Sequence, residues 1–120
     1  MATAGVRRYR WDGIPPEPVT DVISRKIITG ERAMLAEVTL ARGAVVPKHE
    51  HESEQTSWVF TGALRFDING EIIDLRPGDV LVIPSGVPHQ ATALEDTVEV
   101  DIFSPIRQDW LDKTDDYFRR

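Results

Sequence analysis

Three histidines are the only imidazoles in the chain, and all stand where a metal could use them. His49 and His51 lie two apart in His49-Glu50-His51-Glu52-Ser53-Glu54-Gln55, and His89 closes Pro84-Ser85-Gly86-Val87-Pro88-His89. On an extended strand, residues i and i+2 project to one face about 6.5–7 Å apart. His49 and His51 can therefore close on one ion at about 2.0–2.1 Å per nitrogen. Gln55 shares their parity unless a bend intervenes. With His89 arriving from a strand on the other side of a barrel, the set is three nitrogens and one amide oxygen. A position stays open for water or substrate, the feature that separates a catalytic from a structural site. Nickel, zinc, manganese and iron(II) all accept such donors, so one divalent transition ion is expected without its identity being fixed. Alone, a His-x-His pair on a β surface is equally consistent with chance.

A second group follows in Asp101-Ile102-Phe103-Ser104-Pro105-Ile106-Arg107. Val98, Val100 and Ile102 read as the buried face of the last strand, with Glu99, Asp101 and Phe103 on the other. Phe103 indicates that this second face is not simply solvent, and barrel closure can turn it into a cavity. Near an ion, Asp101 suits general acid/base work, and Arg107 offers a planar two-toothed donor to a carboxylate. Singly, Asp101 reads as a solvated strand residue and Arg107 as a surface charge paired with Asp109 or Asp112. Trp58 and Phe60 read as core, or as an apolar wall of the site. Glu50, Glu52 and Glu54 read as a solvated rim.

The elements that must position these residues are almost all strands. Met34, Ala36, Val38 and Leu40 alternate with Leu35, Glu37 and Thr39, the period of a half-buried strand. Thr56–Phe60, Leu64–Ile68, Ile72–Leu75, Val80–Ile83 (short and buried), Val87–Leu94 and Val98–Phe103 follow. Asn69-Gly70 marks a tight I′ hairpin, which needs positive φ twice, and Pro77-Gly78-Asp79 marks another turn. Three prolines in residues 1–24 argue for an irregular arm on the body of the domain or across a partner. A short helix is expected over Gln108–Lys113. Many short strands with Gly/Pro turns imply an all-β sandwich or barrel.

At 120 residues the chain suits one domain. A net charge of −6 argues against nucleic acid or an anionic membrane as partner. No cysteine is present, which fits a reducing cytoplasm. The first residues show no signal-peptide pattern, and no apolar run is long enough to span a bilayer.

The spacing Gly43, five residues, His49, one, His51, three, Gln55, six, Gly62 is followed by Gly78, five residues, Pro84, one, Gly86, two, His89. These two runs resemble the paired motifs of the cupin superfamily, a double-stranded β-helix or jelly roll with its metal inside one end. The resemblance implies an all-β barrel over 25–104, an N-terminal arm over 1–24 and a C-terminal tail over 105–120. It also implies His49, His51, Gln55 and His89 as metal ligands. Two positions depart from the pattern: Gln55 stands where Glu is usual, and Ala93 where Asn is usual. A neutral amide leaves an M²⁺ site at net +2 rather than +1. That polarises a bound oxygen more strongly and suits a ferric-like state less. It favours Lewis-acid chemistry over oxygen chemistry, although an amide is the poorer ligand.

Glu54-Gln55, together with the Asp101–Arg107 run, resembles the KdgF type of small cupins of pectin and alginate degradation. That group often carries a further His where Ser53 stands here. The resemblance implies conversion of a 4,5-unsaturated monouronate to a linear keto form. Asp101, Arg107 and Phe103 would be the catalytic residues, a small sugar acid the substrate, and a homodimer the assembly. A mononuclear-metal cupin dioxygenase and a non-catalytic sugar-acid-binding cupin remain as alternatives.

Overall fold

The structure, a computed structural model, describes residues 5–119. Residues 1–4 of the expected arm lie outside the described residues. Ten strands follow in order: β1 (Glu17–Pro18), β2 (Ile23–Thr29), β3 (Met34–Leu40), β4 (Val45–His49), β5 (Glu54–Thr61), β6 (Leu64–Ile68), β7 (Glu71–Leu75), β8 (Val80–Ile83), β9 (His89–Ala93) and β10 (Thr97–Ser104). A helix, α1 (Gln108–Asp112), and a 3₁₀ turn, Asp116–Arg119, complete the chain. One sheet has the order β1-β2-β3-β10-β5-β8 and the other β4-β9-β6-β7. Every pairing is antiparallel. The arrangement is a jelly roll.

The period-two pattern explains which side faces in. Met34, Ala36, Val38 and Leu40 of β3 are buried while Leu35 and Thr39 are exposed. They pack with Val59, Leu64, Phe66, Ile83 and Phe103 into the core. The β6–β7 hairpin turns on Asn69 (φ 53°) and Gly70 (φ 90°), as the I′ turn requires. Gly62 has a sharper reason to be glycine. Its φ is +87°, and a Cβ there would collide with the Asp96 carbonyl oxygen and with Thr97.

Several expectations are corrected. The inward face of β10 is Thr97, Glu99, Asp101 and Phe103, all buried; Val98, Val100 and Ile102 lie on the outer side, where Val100 is buried all the same and Val98 and Ile102 are half-buried. Apolar content misleads there because the polar residues serve an internal site. β8 is not a buried strand: it forms the edge of the six-stranded sheet, with Val80 and Val82 more than half exposed. Trp58 and Phe60 are neither core nor site wall, because they point outward from β5 at 44% and 40% exposure. The strand expected over Val87–Leu94 runs only from His89 to Ala93. Pro18 is accommodated within the two-residue edge strand β1, where a missing N–H costs nothing.

Candidate metal centre

His49 is the last residue of β4 and His89 the first of β9, and the two are register partners. His89 therefore comes from the neighbouring strand of the same sheet, not from across the barrel. His51 lies beyond β4 in a loop, where its carbonyl accepts the Gly86 N–H at 2.9 Å. Strand parity thus does not govern the His49–His51 pair, and the loop aims His51 instead. The rings converge all the same. Centroids are 4.3 Å apart for His49–His89, 5.0 Å for His51–His89 and 5.5 Å for His49–His51. Their candidate ligand atoms all lie within 4.8 Å of one another. Two nitrogens at about 2.1 Å from one tetrahedral ion stand about 3.4 Å apart, so the rings would close by no more than about 1.4 Å to share it.

The hydrogen bonds fix which nitrogens face the centre. Nδ1 of His49, His51 and His89 each lies 2.8 Å from a backbone carbonyl, those of Pro47, Ser53 and Val87. A carbonyl can only accept, so Nδ1 carries the proton and Nε2 keeps its lone pair. Burial lowers all three imidazoles, His49 to about 3 and His51 to about 4. The nearby charge of Arg107 acts in the same direction on each. All three are neutral at pH 7, as ligands must be. Nε2 of His89 is buried with no hydrogen-bond partner, an orphan that a metal would satisfy.

Gln55, in β5 of the facing sheet, completes the set. Its amide nitrogen donates to Ser57 Oγ at 2.9 Å and to Asp101 Oδ1 at 3.4 Å. Its oxygen lies 3.0 Å from His51 Nε2. A flipped amide would set that oxygen against the Asp101 carboxylate. In the arrangement present, two lone-pair atoms face each other at hydrogen-bond distance, which is favourable only with a cation between them. The donor set of three Nε2 atoms and one amide oxygen therefore fits a divalent transition ion.

Beside Gln55 the expected Asp101 is one of a buried acid pair, whose other member, Glu99, sequence reading missed. Asp101 pairs across the sheet with Ser57, whose Oγ donates to Oδ1 at 2.6 Å. Glu99, two residues earlier on the same face, hydrogen-bonds Asp101. Burial raises both carboxyls, and the Asp101 charge pushes Glu99 well above the usual carboxylate range. Bonds from Glu99 and Ser57, with His89 and Arg107 nearby, work in the opposite sense on Asp101. Of this pair, Glu99 is the carboxyl held more firmly in its protonated form, by burial and by Asp101 beside it. The signal for Glu99 was its parity with Asp101 and Phe103.

Phe103 is buried and stands edge-on to His51, with ring centroids 5.6 Å apart. Arg107 lies over it, with Cζ 5.1 Å from the ring centroid. Arg107 is buried, not on the surface, but its fork is already used. Nε and Nη2 donate to Asp109 at 2.9 and 2.7 Å, and Nη2 also donates to Tyr117 Oη at 3.1 Å. Nη1 alone is buried without a partner, so the free donor is single, not two-toothed. Tyr117, Trp110 and Phe118, also missed, line a small cavity together with His49, Gln55 and Asp101. Glu50, Glu52 and Glu54 are all exposed, as a rim should be.

Comparison with known proteins agrees with this geometry. The model for the cupin domain matches residues 36–104. The structure of KdgF from Halomonas sp. is 38% identical, with a TM-score of 0.78 over 82% of this chain and 94% of that one. An RmlC-like cupin from Shewanella frigidimarina is 25% identical, with a TM-score of 0.80 over 85% of this chain and 93% of that one. A single-residue variant of the oxalate decarboxylase of B. subtilis shares the fold at 20% identity and a TM-score of 0.79; the match covers 91% of this chain and 32% of that one. No curated protein matches by sequence search. A jelly roll carrying three convergent imidazoles, the matched cupin domain and a KdgF neighbour at this identity lead to one assignment: the chain belongs to the cupin family, as a small cupin resembling KdgF.

Proposed function

We propose that the protein is a metal-dependent enzyme that converts a 4,5-unsaturated monouronate, or a related sugar acid, to its linear keto form. The observation that most supports this is Gln55. Its oxygen lies 3.0 Å from His51 Nε2 while its amide nitrogen reaches Asp101 Oδ1 at 3.4 Å. A neutral ligand and an acid/base group are thereby held by one side chain. A divalent ion in this set would supply Lewis-acid polarisation of substrate oxygens. The remaining work falls to the chain. Arg107 Nη1 donates to the substrate carboxylate. Asp101, hydrogen-bonded by Ser57 and Glu99, takes a proton from the attacking water and delivers one to C4 of the enol ether. The water oxygen adds at C5 to give a hemiketal. Its hydroxyl then loses a proton as the bond from C5 to the ring oxygen breaks, and C5 becomes the ketone. The ring oxygen gains a proton and stays on C1 as a hydrate that loses water to the aldehyde. Phe103 holds the Arg107 guanidinium and His51 in place from below.

Absorbance of the 4,5-unsaturated chromophore tests this reading. Wild-type protein should remove it far faster than its spontaneous decay, and Asp101→Ala should lose about 10²–10⁴-fold in rate. Gln55→Ala should lose both rate and metal occupancy. A chromophore that decays at the spontaneous rate with wild type would refute the uronate reaction. If the sugar acid still bound, the protein would be a binder.

We also propose that two chains pair through the outer face of the six-stranded sheet. Leu35, Trp58, Phe60, Val80 and Val82, each between 36% and 57% exposed, present there. Trp58 is the register partner of exposed Val80 on β8 and of buried Val100 on β10, so the exposed apolar surface runs from β5 to β8. Glu37 and Lys26, register partners on β3 and β2, border it with opposite charges. Patches of this kind on a soluble chain mark interaction surfaces.

A further inference from the structure

The three imidazoles stand between two spaces of different character. On the solvent side an open pocket of about 350 Å³ is bordered by His51, Arg107 and Tyr117. A sugar acid held by Arg107 would enter there. On the core side a chamber of about 30 Å³ is bordered by His49, Gln55, His89, Glu99 and Asp101. Val38, Phe66 and Ala91 of the core border it too. His51 and Arg107 do not, so the chamber lies off the point where the imidazoles meet, on its inner side.

Glu99 is the group in this chamber that the chemistry so far leaves unused. It is buried on the inward face of β10, two residues further from the metal end of the strand than Asp101. Its carboxyl bonds Asp101, which accepts from Ser57 Oγ at 2.6 Å. The second oxygen, Oε2, is buried with no hydrogen-bond partner. A buried carboxyl oxygen left unpaired is costly, and a water recovers that cost where there is room for one. One water takes up about 10–15 Å³ on the measure that gives about 30 Å³ here, so the chamber has room for about two.

We propose that the chamber is a water site that serves the addition at C5. About two waters stand in file: the deeper is held by Glu99 Oε2, and the nearer lies beside Asp101. This rests on the uronate reading for the reaction it serves, although the water site itself does not need turnover. With the sugar acid on Arg107, substrate takes up the solvent side and the reacting water comes from the core side. Its O–H bond breaks and the proton passes to Asp101. Its oxygen bonds C5, and the electron pair of the C4=C5 bond takes up the proton that Asp101 delivers to C4. The deeper water then moves up, and solvent refills the chamber once product has left. Glu99 touches water and Asp101 but not the sugar, so it is a positioning residue.

The test uses the full-length protein loaded with zinc, a diamagnetic ion, so that long-lived internal waters can be counted by magnetic relaxation dispersion of the solvent. Glu99→Leu removes the oxygen, and Ala91→Val fills the chamber from its apolar side with both acids in place. Each should lose at least one long-lived water relative to wild type. Glu99→Gln keeps a polar atom at that position and should retain them. A second readout separates binding from turnover. Galacturonate, which lacks the reactive double bond, should bind all three variants within about twofold of wild type in calorimetry, because Arg107 is untouched. On the unsaturated monouronate, kcat should fall about tenfold or more in Glu99→Leu and Ala91→Val and stay within about threefold in Glu99→Gln. If circular dichroism shows Glu99→Leu unfolded, Ala91→Val carries both readouts. Dispersion equal to wild type in the folded variants would overturn the water site. Loss of water with kcat unchanged, or a rate loss matched by weaker galacturonate binding, would overturn its part in hydration. Wild type that leaves the chromophore at its spontaneous rate while the variants lose water would sink the reaction and leave the water site standing.

Discussion

The three imidazoles titrate against the fold, and the sign can be worked out. In the unfolded chain a histidine takes its proton near pH 6.5. In the folded chain burial holds His49 to about 3 and His51 to about 4. Between these values the unfolded state binds more protons, so metal-free protein should lose stability as pH falls below about 6.5. Thermal melts from pH 7 to 5 should show the drop, and His49→Gln should flatten it. Glu99 works in the opposite direction, since its folded form keeps a proton that the unfolded form gives up above the usual carboxylate range. Each pH unit in that window costs about 1.4 kcal/mol. Glu99→Gln, whose amide can still donate to Asp101, should therefore stabilise the protein more at pH 8 than at pH 5; an equal effect at both would contradict the shared-proton arrangement. The histidines were legible from spacing alone. Glu99 was not, because an acidic residue on a strand reads as solvated until its face is known to point inward.

At the scale of elements, turns and alternation were readable and long-range pairing was not. Asn69-Gly70 fixes its hairpin locally, and the alternation of β3 gives its inner face directly. Nothing local in the sequence says that β4 pairs with β9 some forty residues later, which is why His89 was expected across the barrel. The faces of β10 and β8 were misassigned for a related reason: the site needs polar groups inside, and the outer sheet face is apolar. Two glycines separate local strain from contact. Gly70 (φ +90°) has nothing within 4 Å of an added Cβ, whereas at Gly62 (φ +87°) a Cβ would strike the Asp96 backbone. Gly70→Ala should cost about 1 kcal/mol, and Gly62→Ala about 2 kcal/mol or more beyond that. Equal midpoints for the two in urea unfolding would show that the close approach carries no energy.

The molecule as a whole has two surfaces to explain, the end of the barrel where the imidazoles meet and the outer face of the large sheet. A standard interface buries about 800 Å² per partner. Strands about 4.8 Å apart and about 15–26 Å long give the outer face of β3, β10, β5 and β8 a footprint of roughly 300–500 Å², about half of that, and β2 beside β3 extends it. Light scattering should therefore report twice the 13.5 kDa of one chain, and Trp58→Lys should report 13.5 kDa; a monomeric wild type would remove the dimer from consideration. The three convergent imidazoles come from β4, its following loop and the start of β9, and the proposed fourth donor, Gln55, comes from β5 of the facing sheet. X-ray absorption on protein stripped and then reloaded with one divalent transition ion probes that set directly. One ion per chain is expected, bound by three imidazole nitrogens and amide oxygen at about 2.0–2.2 Å, with one imidazole lost from the shell in His89→Ala. Less than about a tenth of an ion per chain, or a shell unchanged by His89→Ala, would contradict the metal centre.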